Sequence, residues 1–302
     1  MAVLAYLGPE GTFTHQAALD VAAPGDELVA LRTAPDVVRA VEDGTAAAGV
    51  VAFENSLQGP VSENLDEILA GRRCLLAGER VLAVSFALFR VPGDDAPLVG
   101  VSSHQFGLLQ CSRFIDERRL ETREAPSTAA ACRELAASPR PGWGAIAPRI
   151  AGEPLGLVVD ADGIENTERA ETRFVVLRPT CPPPSGRDRT AFAFQPRSDE
   201  PGSLVRLLQE FSVRQINLTA IKSRPAKLSL GEYLFFIECE GHIADPVLRD
   251  AVLGLLRFDG EVRFLGSYAE DPERPPRTRA GRNGDDRLAA YEAMLERVSE
   301  PE

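Results

Sequence analysis

Two short polar segments carry the side chains best suited to chemistry. Residues 54–56 (Glu-Asn-Ser) follow the apolar run 49–53, and residues 172–174 (Thr-Arg-Phe) precede the apolar run 175–177. Each apolar run is typical of a buried strand, so each polar segment lies where a strand begins or ends. Polar groups gathered at the strand ends of an α/β sheet commonly form a ligand pocket. The pattern therefore predicts a pocket for a small polar anion.

The composition places the chain among soluble globular proteins large enough for two domains. It has 302 residues, of which 44% are hydrophobic and 26% are charged, as is ordinary for such proteins. Lys and Arg number 33 against 45 Asp and Glu, which gives a formal net charge of −12. This charge argues against nucleic acid or an anionic membrane as a partner. An anionic ligand would need a locally positive site.

The cysteine pattern predicts free thiols rather than disulfides or a zinc site. The five cysteines are odd in number and show no Cys-x-x-Cys spacing, and the three histidines give no metal pattern. Free thiols are typical of a reducing cytosol. Residues 1–8 lack a basic stretch, and their apolar run is too short for a signal peptide or a membrane span. We therefore expect a cytoplasmic protein without a metal.

Hydrophobic periodicity divides the chain into two regions. Apolar runs alternate with helical patterns over residues 1–180, which predicts α/β layers with a largely parallel sheet. The stiff, polar stretch 181–188 predicts a linker. Residues 189–272 follow the order βαββαβ, which is the ferredoxin-like arrangement. The tail 273–302 is rich in Pro, Arg, Gly and Asp, and a short helix is compatible with residues 286–298.

A set of motifs in a fixed order gives the chain a family resemblance. Over residues 1–180 they are Tyr6-Leu7-Gly8-Pro9-Glu10-Gly11-Thr12-Phe13-Thr14, Glu54-Asn55-Ser56 with Gly59 and Val61, Ser103-His104, Gln110-Cys111, Ser127-Thr128-Ala129-Ala130-Ala131 and Thr172-Arg173-Phe174. Over residues 189–272 they are Gly202-Ser203-Leu204-Val205 and Ser223-Arg224-Pro225. With these strings the chain resembles prephenate dehydratase over roughly residues 2 to 270, and residues 189–272 resemble an ACT domain.

The resemblance implies a fold, a reaction and a form of control. The catalytic domain, residues 1–180, would fold like a type II periplasmic binding protein, with lobes of about 1–78 plus 160–180 and of 79–159. The family converts prephenate to phenylpyruvate, with loss of water and carbon dioxide and without a cofactor. The ACT domain of relatives binds phenylalanine for feedback control, and relatives form homodimers or homotetramers.

The resemblance puts Thr172 where the departing hydroxyl group is assisted. Because a threonine hydroxyl is a weak acid, we expect a placed hydrogen-bond donor rather than a free proton source. Asn55 can donate to a carboxylate or to the leaving oxygen. A carboxylate at Glu54 would repel a dianion, so we expect it to orient its neighbours. Ser56 either binds substrate or caps the next helix.

Arg173 has two competing interpretations. Its guanidinium fork suits a substrate carboxylate, but strand alternation would point it away from the target of Thr172. Phe174 belongs either to the core or to the substrate site. The other candidates match polar cleft positions of the family or begin helices whose N–H groups can bind an anion: Thr12, Ser103, Gln110, Ser127 and Thr128.

The candidate effector site lies in the ACT region. Lys222 stands where the family has glutamate, so the charge beside that site is reversed. The residues at the family's phenylalanine-binding positions are Gly202, Ser203, Leu204, Val205, Asn217, Leu218, Ser223, Arg224 and Pro225.

Two alternative functions stay open at the level of sequence. An arogenate dehydratase would share the same motifs and would yield phenylalanine directly. A non-catalytic sensor of an aromatic acid would share the fold, since fold does not determine function. Substrate preference is also open because the family's usual His-Pro-Gln is His104-Gln105-Phe106 and its usual threonine is Asn64.

Overall fold

The first sheet forms from apolar runs that alternate with helices over residues 3–83. The computed structural model describes residues 1–167, 169–196, 200–225, 233–257 and 260–273. The elements of this part are β1 (Val3–Leu7), α1 (Phe13–Val21), β2 (Glu27–Leu31), α2 (Ala34–Glu42), β3 (Ala48–Asn55), β4 (Gly59–Pro60), α3 (Ser62–Ala70) and β5 (Leu75–Ala83).

A second sheet follows, and the chain then returns to the first. The second sheet has the strand order β10-β6-β9-β7-β8, and the first has the order β2-β1-β3-β11-β5, with β4 paired to β3. The new elements are β6 (Ala87–Arg90), β7 (Gly100–Ser103), α4 (Gln105–Gln110), α5 (Ser112–Arg118), β8 (Glu121–Glu124), α6 (Thr128–Ala137), β9 (Trp143–Ala147), α7 (Arg149–Gly152), β10 (Val158–Asp162) and β11 (Glu171–Arg178).

The α/β class is confirmed, but both sheets are mixed rather than largely parallel. β1 pairs in parallel with β2 and β3, whereas β11 runs antiparallel to β3 and β5. In the second sheet β6 runs antiparallel to β9 and β10. The physical reason is that the chain crosses between the sheets twice, and the strands that flank the two crossings run in opposite directions.

The crossings also correct the predicted lobe boundaries by a few residues. β5 remains in the first sheet to Ala83, and β10 lies wholly in the second sheet. The chain therefore passes between the sheets at residues 84–86 and 163–170, rather than near 79 and 159.

The third sheet is built from the C-terminal part of the chain in the predicted order βαββαβ. It has the strand order β13-β14-β12-β15 and is antiparallel throughout. Its elements are β12 (Asp188–Pro196), α8 (Ser203–Ser212), β13 (Leu218–Pro225), β14 (Tyr233–Glu240), α9 (Pro246–Leu255) and β15 (Gly260–Ala269). We call residues 188–269 the C-terminal module. The predicted helix over 286–298 lies outside the described residues.

The C-terminal module packs against one face of the first sheet. Phe53 and Val175 from the first sheet share a core with Phe236 and Tyr268 from the module. The rings of Phe53 and Phe236 lie 5.6 Å apart between centroids. Burial of each such ring contributes about 2 kcal/mol to stability. The opposite face of the first sheet packs against α1, so the sheet is covered on both sides.

Candidate active site

A cavity of about 300 Å³ opens where the first and second sheets face each other. This volume lies at the lower end of the range for small-molecule sites. The residues that line it come from strand ends and helix starts in both sheets: Gly8, Pro9, Thr12, Phe13, Asn55, Val84, Phe86, His104, Phe106, Gly107, Gln110, Pro126, Ser127, Thr128 and Thr172. Six of the predicted site residues belong to this set: Thr12, Asn55, Gln110, Ser127, Thr128 and Thr172.

A β-bulge brings Asn55 to the same face as Thr172. In the antiparallel pair of β3 and β11, Thr172 lies opposite Asn55, whereas Phe174 lies opposite Ala52. β3 therefore has one extra residue near Phe53. Without the bulge, alternation from Ala52 would put Asn55 on the other face of the sheet. The bulge therefore turns Asn55 towards the cavity and Glu54 away from it.

The amide of Asn55 donates a hydrogen bond to the hydroxyl of Thr172. The distance from Asn55 Nδ2 to Thr172 Oγ1 is 2.9 Å. The orientation of the amide follows from its other end, because the backbone N–H groups of Leu57 and Gln58 donate to Asn55 Oδ1 at 2.9 and 3.1 Å. Since Oγ1 accepts from Asn55, the Thr172 O–H is free to donate to a ligand. We call Asn55 and Thr172 the cavity pair.

Two polar side chains hold the strand ends around the cavity pair. Asn64 Nδ2 donates to the Ala52 carbonyl at 2.7 Å, which satisfies a backbone acceptor beside the bulge. The backbone N–H of Glu171 donates to Ser56 Oγ at 2.9 Å, and the N–H of Ser56 donates to the Glu171 carbonyl at 2.8 Å. Ser56 therefore extends the contact between β3 and β11, and it does not line the cavity or cap α3.

The N-termini of two helices provide the positive potential in the cavity. Thr12 caps α1, because its Oγ1 accepts from His15 N at 3.3 Å. Ser127 caps α6, because its Oγ accepts from Ala130 N at 3.0 Å. The first N–H groups of a helix lack partners within the helix, and together with its dipole they favour an anion. Helix α6 also contributes Thr128, its first residue, to the cavity lining.

Gln110 presents an unused polar group to the same space. Its Oε1 is buried and has no hydrogen-bond partner among the described residues. A buried amide oxygen without a partner is uncommon in folded proteins. Because Gln110 lines the cavity and its Oε1 can only accept, the natural partner for this oxygen is a donor group of a bound ligand, such as a hydroxyl.

Five of the predicted catalytic or substrate-binding residues lie outside the cavity lining. Ser103 is fully buried, and its hydroxyl donates to the Ile146 carbonyl at 2.6 Å. Phe174 is a core residue in the same hydrophobic cluster as Ala17 and Ala18 of α1. Ser56 links the strand ends as described above. The other two, Glu54 and Arg173, point away from the cavity pair towards the C-terminal module.

The position of Arg173 resolves its two interpretations. Its Nη1 donates to Glu238 at 3.0 Å and to Glu79 at 3.2 Å, so its side chain is engaged on the opposite face from Thr172. Strand alternation explains this orientation. Among the fifteen described lining residues, none is a lysine, an arginine or a carboxylate. An anion in the cavity would therefore meet neutral donors and helix N-termini.

Sequence reasoning missed the apolar and aromatic wall of the cavity. Phe13, Val84, Phe86 and Phe106 line it, together with His104. The chain crossing at residues 84–86 supplies two of these residues, and apolar residues at a crossing carry no motif signal. Phe106 belongs to the altered motif His104-Gln105-Phe106, and its 46% exposure leaves its ring open to a ligand.

Five of the nine predicted effector residues lie beyond or at the two ends of α8: Gly202, Ser203, Leu204, Val205 and Asn217. Gly202 precedes α8 with φ of +90°, and Leu204 and Val205 are exposed on the first turn of that helix. Asn217 follows the other end of α8, and its Nδ2 donates to Glu240 Oε1 at 2.8 Å. The ten-residue helix separates the two groups by about 15 Å, so one chain does not bring them together.

The remaining effector residues lie along β13. Leu218 begins this strand, and Ser223, Arg224 and Pro225 end it. Arg224 points towards α3, because its Nη2 donates to Ser62 Oγ at 2.6 Å. In the described part of the chain, no cluster of His, Cys, Asp and Glu is arranged to hold a metal ion. No helix there is long and apolar enough to cross a bilayer.

Fold and cavity together define an α/β enzyme for a small polar ligand. The comparisons confirm the resemblance to prephenate dehydratase: the chain belongs to that family, whose model matches residues 4–181. The prephenate dehydratase of Amycolatopsis methanolica is 37% identical over 272 residues, covering 89% of each chain. The chain is therefore a lyase that dehydrates prephenate with decarboxylation.

Solved structures agree over nearly the whole length. The prephenate dehydratase of Arthrobacter aurescens, solved in complex with L-Phe, is 33% identical with a TM-score of 0.81, covering 98% of this chain and 99% of that one. GqqA, described as a novel type of quorum-quenching acylase, is 26% identical with a TM-score of 0.82, covering 90% and 100%. The match therefore extends beyond the region of the family model into the C-terminal module.

Replacing Gln110 by glutamate tests whether this residue faces the bound anion. The change adds a negative charge without adding volume, and no described side-chain cation in the cavity would offset it. We expect the dissociation constant for phenylpyruvate, measured by calorimetry, to rise at least about tenfold. Gln209→Glu on the exposed side of α8 is the control and should leave it unchanged. An unchanged constant for Gln110→Glu would place Gln110 outside the binding site.

Proposed function

We propose that the Thr172 hydroxyl assists departure of the ring hydroxyl group of prephenate. The observation that carries the proposal is the 2.9 Å hydrogen bond from Asn55 Nδ2 to Thr172 Oγ1. This bond occupies an acceptor site of the hydroxyl and leaves its proton for the ligand. It also polarises the O–H group, so that Thr172 is a stronger donor than an isolated alcohol.

The reaction needs such a donor because hydroxide is a poor leaving group. The bond from the ring to its carboxylate breaks, carbon dioxide leaves, and the electron pair moves through the ring. The carbon–oxygen bond at the para position then breaks, and the departing oxygen, hydrogen-bonded by Thr172, takes up a proton from solvent and leaves as water. A placed donor stabilises the negative charge that develops on that oxygen. Aromatisation of the ring supplies the driving force.

The two carboxylates of prephenate would bind to the helix N-termini. The caps Thr12 and Ser127 leave the first N–H groups of α1 and α6 available to the cavity. These groups hold an anion without the reorganisation that a flexible cation requires. Phe13, Phe86 and Phe106 supply the apolar surface for the ring. Gln110 is the remaining polar contact.

We also propose that residues 1–180 have a two-lobed architecture like that of type II periplasmic binding proteins. The two sheets with a cavity between them support this description. The curated relatives are prephenate dehydratases, which favours prephenate over arogenate as substrate. Assaying both compounds with the same enzyme preparation separates the two activities.

Substitution of Thr172 tests the role of its hydroxyl. Thr172→Val keeps the shape but removes the donor, so we expect kcat for phenylpyruvate formation to fall at least about 10²-fold. Thr172→Ser keeps the donor and should retain activity within about tenfold of wild type. Thr122→Val, on the exposed strand β8, is the matched control and should leave kcat unchanged.

The outcomes of this test distinguish an enzyme from a sensor. A Thr172→Val variant that turns over like wild type would remove Thr172 from the mechanism. If wild type and variant both bind phenylpyruvate but neither forms it from prephenate, the protein is a sensor of an aromatic acid. Circular dichroism of each variant establishes that the fold is intact.

We further propose that the C-terminal module is an ACT domain that binds phenylalanine. The L-Phe complex of the Arthrobacter aurescens relative supports this assignment, as does the βαββαβ order. Because Gly202–Val205 and Asn217 lie at opposite ends of α8, a complete site would combine the modules of two chains. This arrangement fits a homodimer or homotetramer. The oligomeric state and the cytoplasmic location stay predictions.

Phenylalanine should bind to the protein and change its rate with prephenate. We expect calorimetry to detect binding at or below millimolar concentration and kcat/KM for prephenate to shift. Val205→Glu would place a charge at the exposed start of α8 and should weaken phenylalanine binding while leaving the uninhibited rate unchanged. Absence of binding at millimolar phenylalanine would remove the effector assignment but not the catalytic one.

A further inference from the structure

The two strands that supply the cavity pair each carry a charged neighbour on the opposite face. Arg173 follows Thr172 on β11, and Glu54 precedes Asn55 on β3. Arg173 and Glu54 lie opposite each other in the strand register. Both side chains contact the C-terminal module. Each cavity residue is thus one peptide unit, about 3.8 Å between Cα atoms, from a residue held by the module.

Two buried carboxylates hold Arg173 in place. Its Nη1 donates to both oxygens of Glu238 at 3.0 Å and to Glu79 Oε2 at 3.2 Å. Glu238 lies on β14 of the module, and Glu79 lies on β5 next to β11. β11 is therefore tied through one side chain both to its neighbouring strand and to the module.

Glu238 is the centre of this buried ion cluster. It is fully buried and also accepts hydrogen bonds from Arg189 Nη1 at 3.1 Å, from Thr219 Oγ1 at 2.7 Å and from the Tyr268 hydroxyl. Burial alone would raise its pKa, but the charges of Arg173 and Arg189 outweigh it and lower the pKa to about 2. A buried ion pair adds little stability over apolar packing, so its main effect here is on geometry.

Lys222 makes the second connection between the module and the cavity pair. Its Nζ lies 3.5 Å from Glu54 Oε1, while Arg173 Nη2 lies 3.7 Å from Glu54 Oε2. The two cations each lie 4.7 Å from the centre of the Phe53 ring. Phe53 lies at the bulge, so Lys222 contacts both the bulge and the residue before Asn55. Among the described residues, Lys222 Nζ has no hydrogen-bond partner, so charge attraction to Glu54 and the ring holds it there.

We propose that Glu238 and Lys222 of the C-terminal module are positioning residues for the dehydration. Glu238 acts through Arg173, and Lys222 acts through Glu54. Together they keep the ends of β11 and β3 in the register that brings the cavity pair into hydrogen-bond contact. The inference rests on the proposed roles of Thr172 and Asn55. It makes the module part of the catalytic machinery in addition to any effector binding.

The magnitude of the effect follows from the sensitivity of catalysis to position. A misplacement of about 1 Å can cost about 10²-fold in rate. Loss of Lys222 removes one of the two cations beside Glu54 but leaves the Arg173 cluster intact, so its effect should be smaller than that. Binding of substrate depends mainly on helix N-termini that the cluster does not touch. The loss should therefore fall on kcat rather than on KM.

Substitution of Lys222 is the practical test because its side chain is 12% exposed and lies at the edge of the cluster. Lys222→Met removes the charge but keeps the length, and we expect kcat to fall about tenfold with KM within about twofold. Lys222→Arg keeps the charge and should stay within about twofold of wild type. Arg214→Met removes the ion pair with Glu210 on α8 and serves as the control in the same module.

A crystal structure of Lys222→Met beside one of wild type gives a readout that does not depend on turnover. We expect the distance from Asn55 Nδ2 to Thr172 Oγ1 to lengthen from 2.9 Å to beyond hydrogen-bond range. An unchanged distance together with an unchanged kcat in folded Lys222→Met would overturn the proposal. So would a lower melting temperature with full activity per folded chain, because that result shows a structural role only.

The same experiments separate failure of this inference from failure of the proposed function. If wild type does not convert prephenate, the proposed function fails, and the distance between Asn55 and Thr172 in the two crystal structures alone decides the positioning role. If wild type is active but Lys222→Met matches it in rate and distance, the catalytic roles stand and the positioning role of the module is wrong.

Discussion

The antiparallel pairing of β3 with β11, including its bulge, is the constraint on which the site depends. The strands come from distant parts of the chain, and their register places Thr172 opposite Asn55. A shift of one residue would turn every side chain of β11 to the other face. The bulge near Phe53 inserts one residue into β3, which interrupts the alternation of its side chains. Asn55, the last residue of the strand, therefore faces the cavity while the preceding apolar residues stay in the core. Asn64 stabilises this local geometry through its bond to the Ala52 carbonyl.

The first sheet separates neutral hydrogen-bonding groups from charged ones. Hydroxyls, amides and helix N-termini face the cavity, whereas Arg173, Glu54 and their partners lie on the opposite face. A neutral, rigid donor set suits a reaction in which charge leaves one end of the substrate and develops at the other. The charged face is itself compensated by pairing with the C-terminal module. The first sheet can therefore couple the position of the C-terminal module to that of the cavity pair without placing a charge beside the substrate.

Much of the fold and part of the site could be predicted from the sequence, for physical reasons that differ between residues. The order of elements follows from hydrophobic periodicity, and Thr12 and Ser127 follow from their places at the predicted starts of helices. Thr172 and Asn55 follow from polar residues at strand ends within a family motif. The orientation of Glu54 could not be predicted, because it depends on a bulge whose extra residue leaves no periodic signal. Ser103 belongs to a family motif but bonds to a backbone carbonyl, a contact set by tertiary packing alone.

The most direct test of this account is a crystal structure of the protein with phenylpyruvate in the cavity. We expect the carboxylate to lie on the N–H groups at the start of α1 or α6, the ring to contact Phe106, and Thr172 and Asn55 to remain hydrogen-bonded beside it. Arg173 should remain hydrogen-bonded to Glu238. A structure in which Arg173 leaves Glu238 and binds the carboxylate in the cavity would contradict the separation of charged and neutral faces.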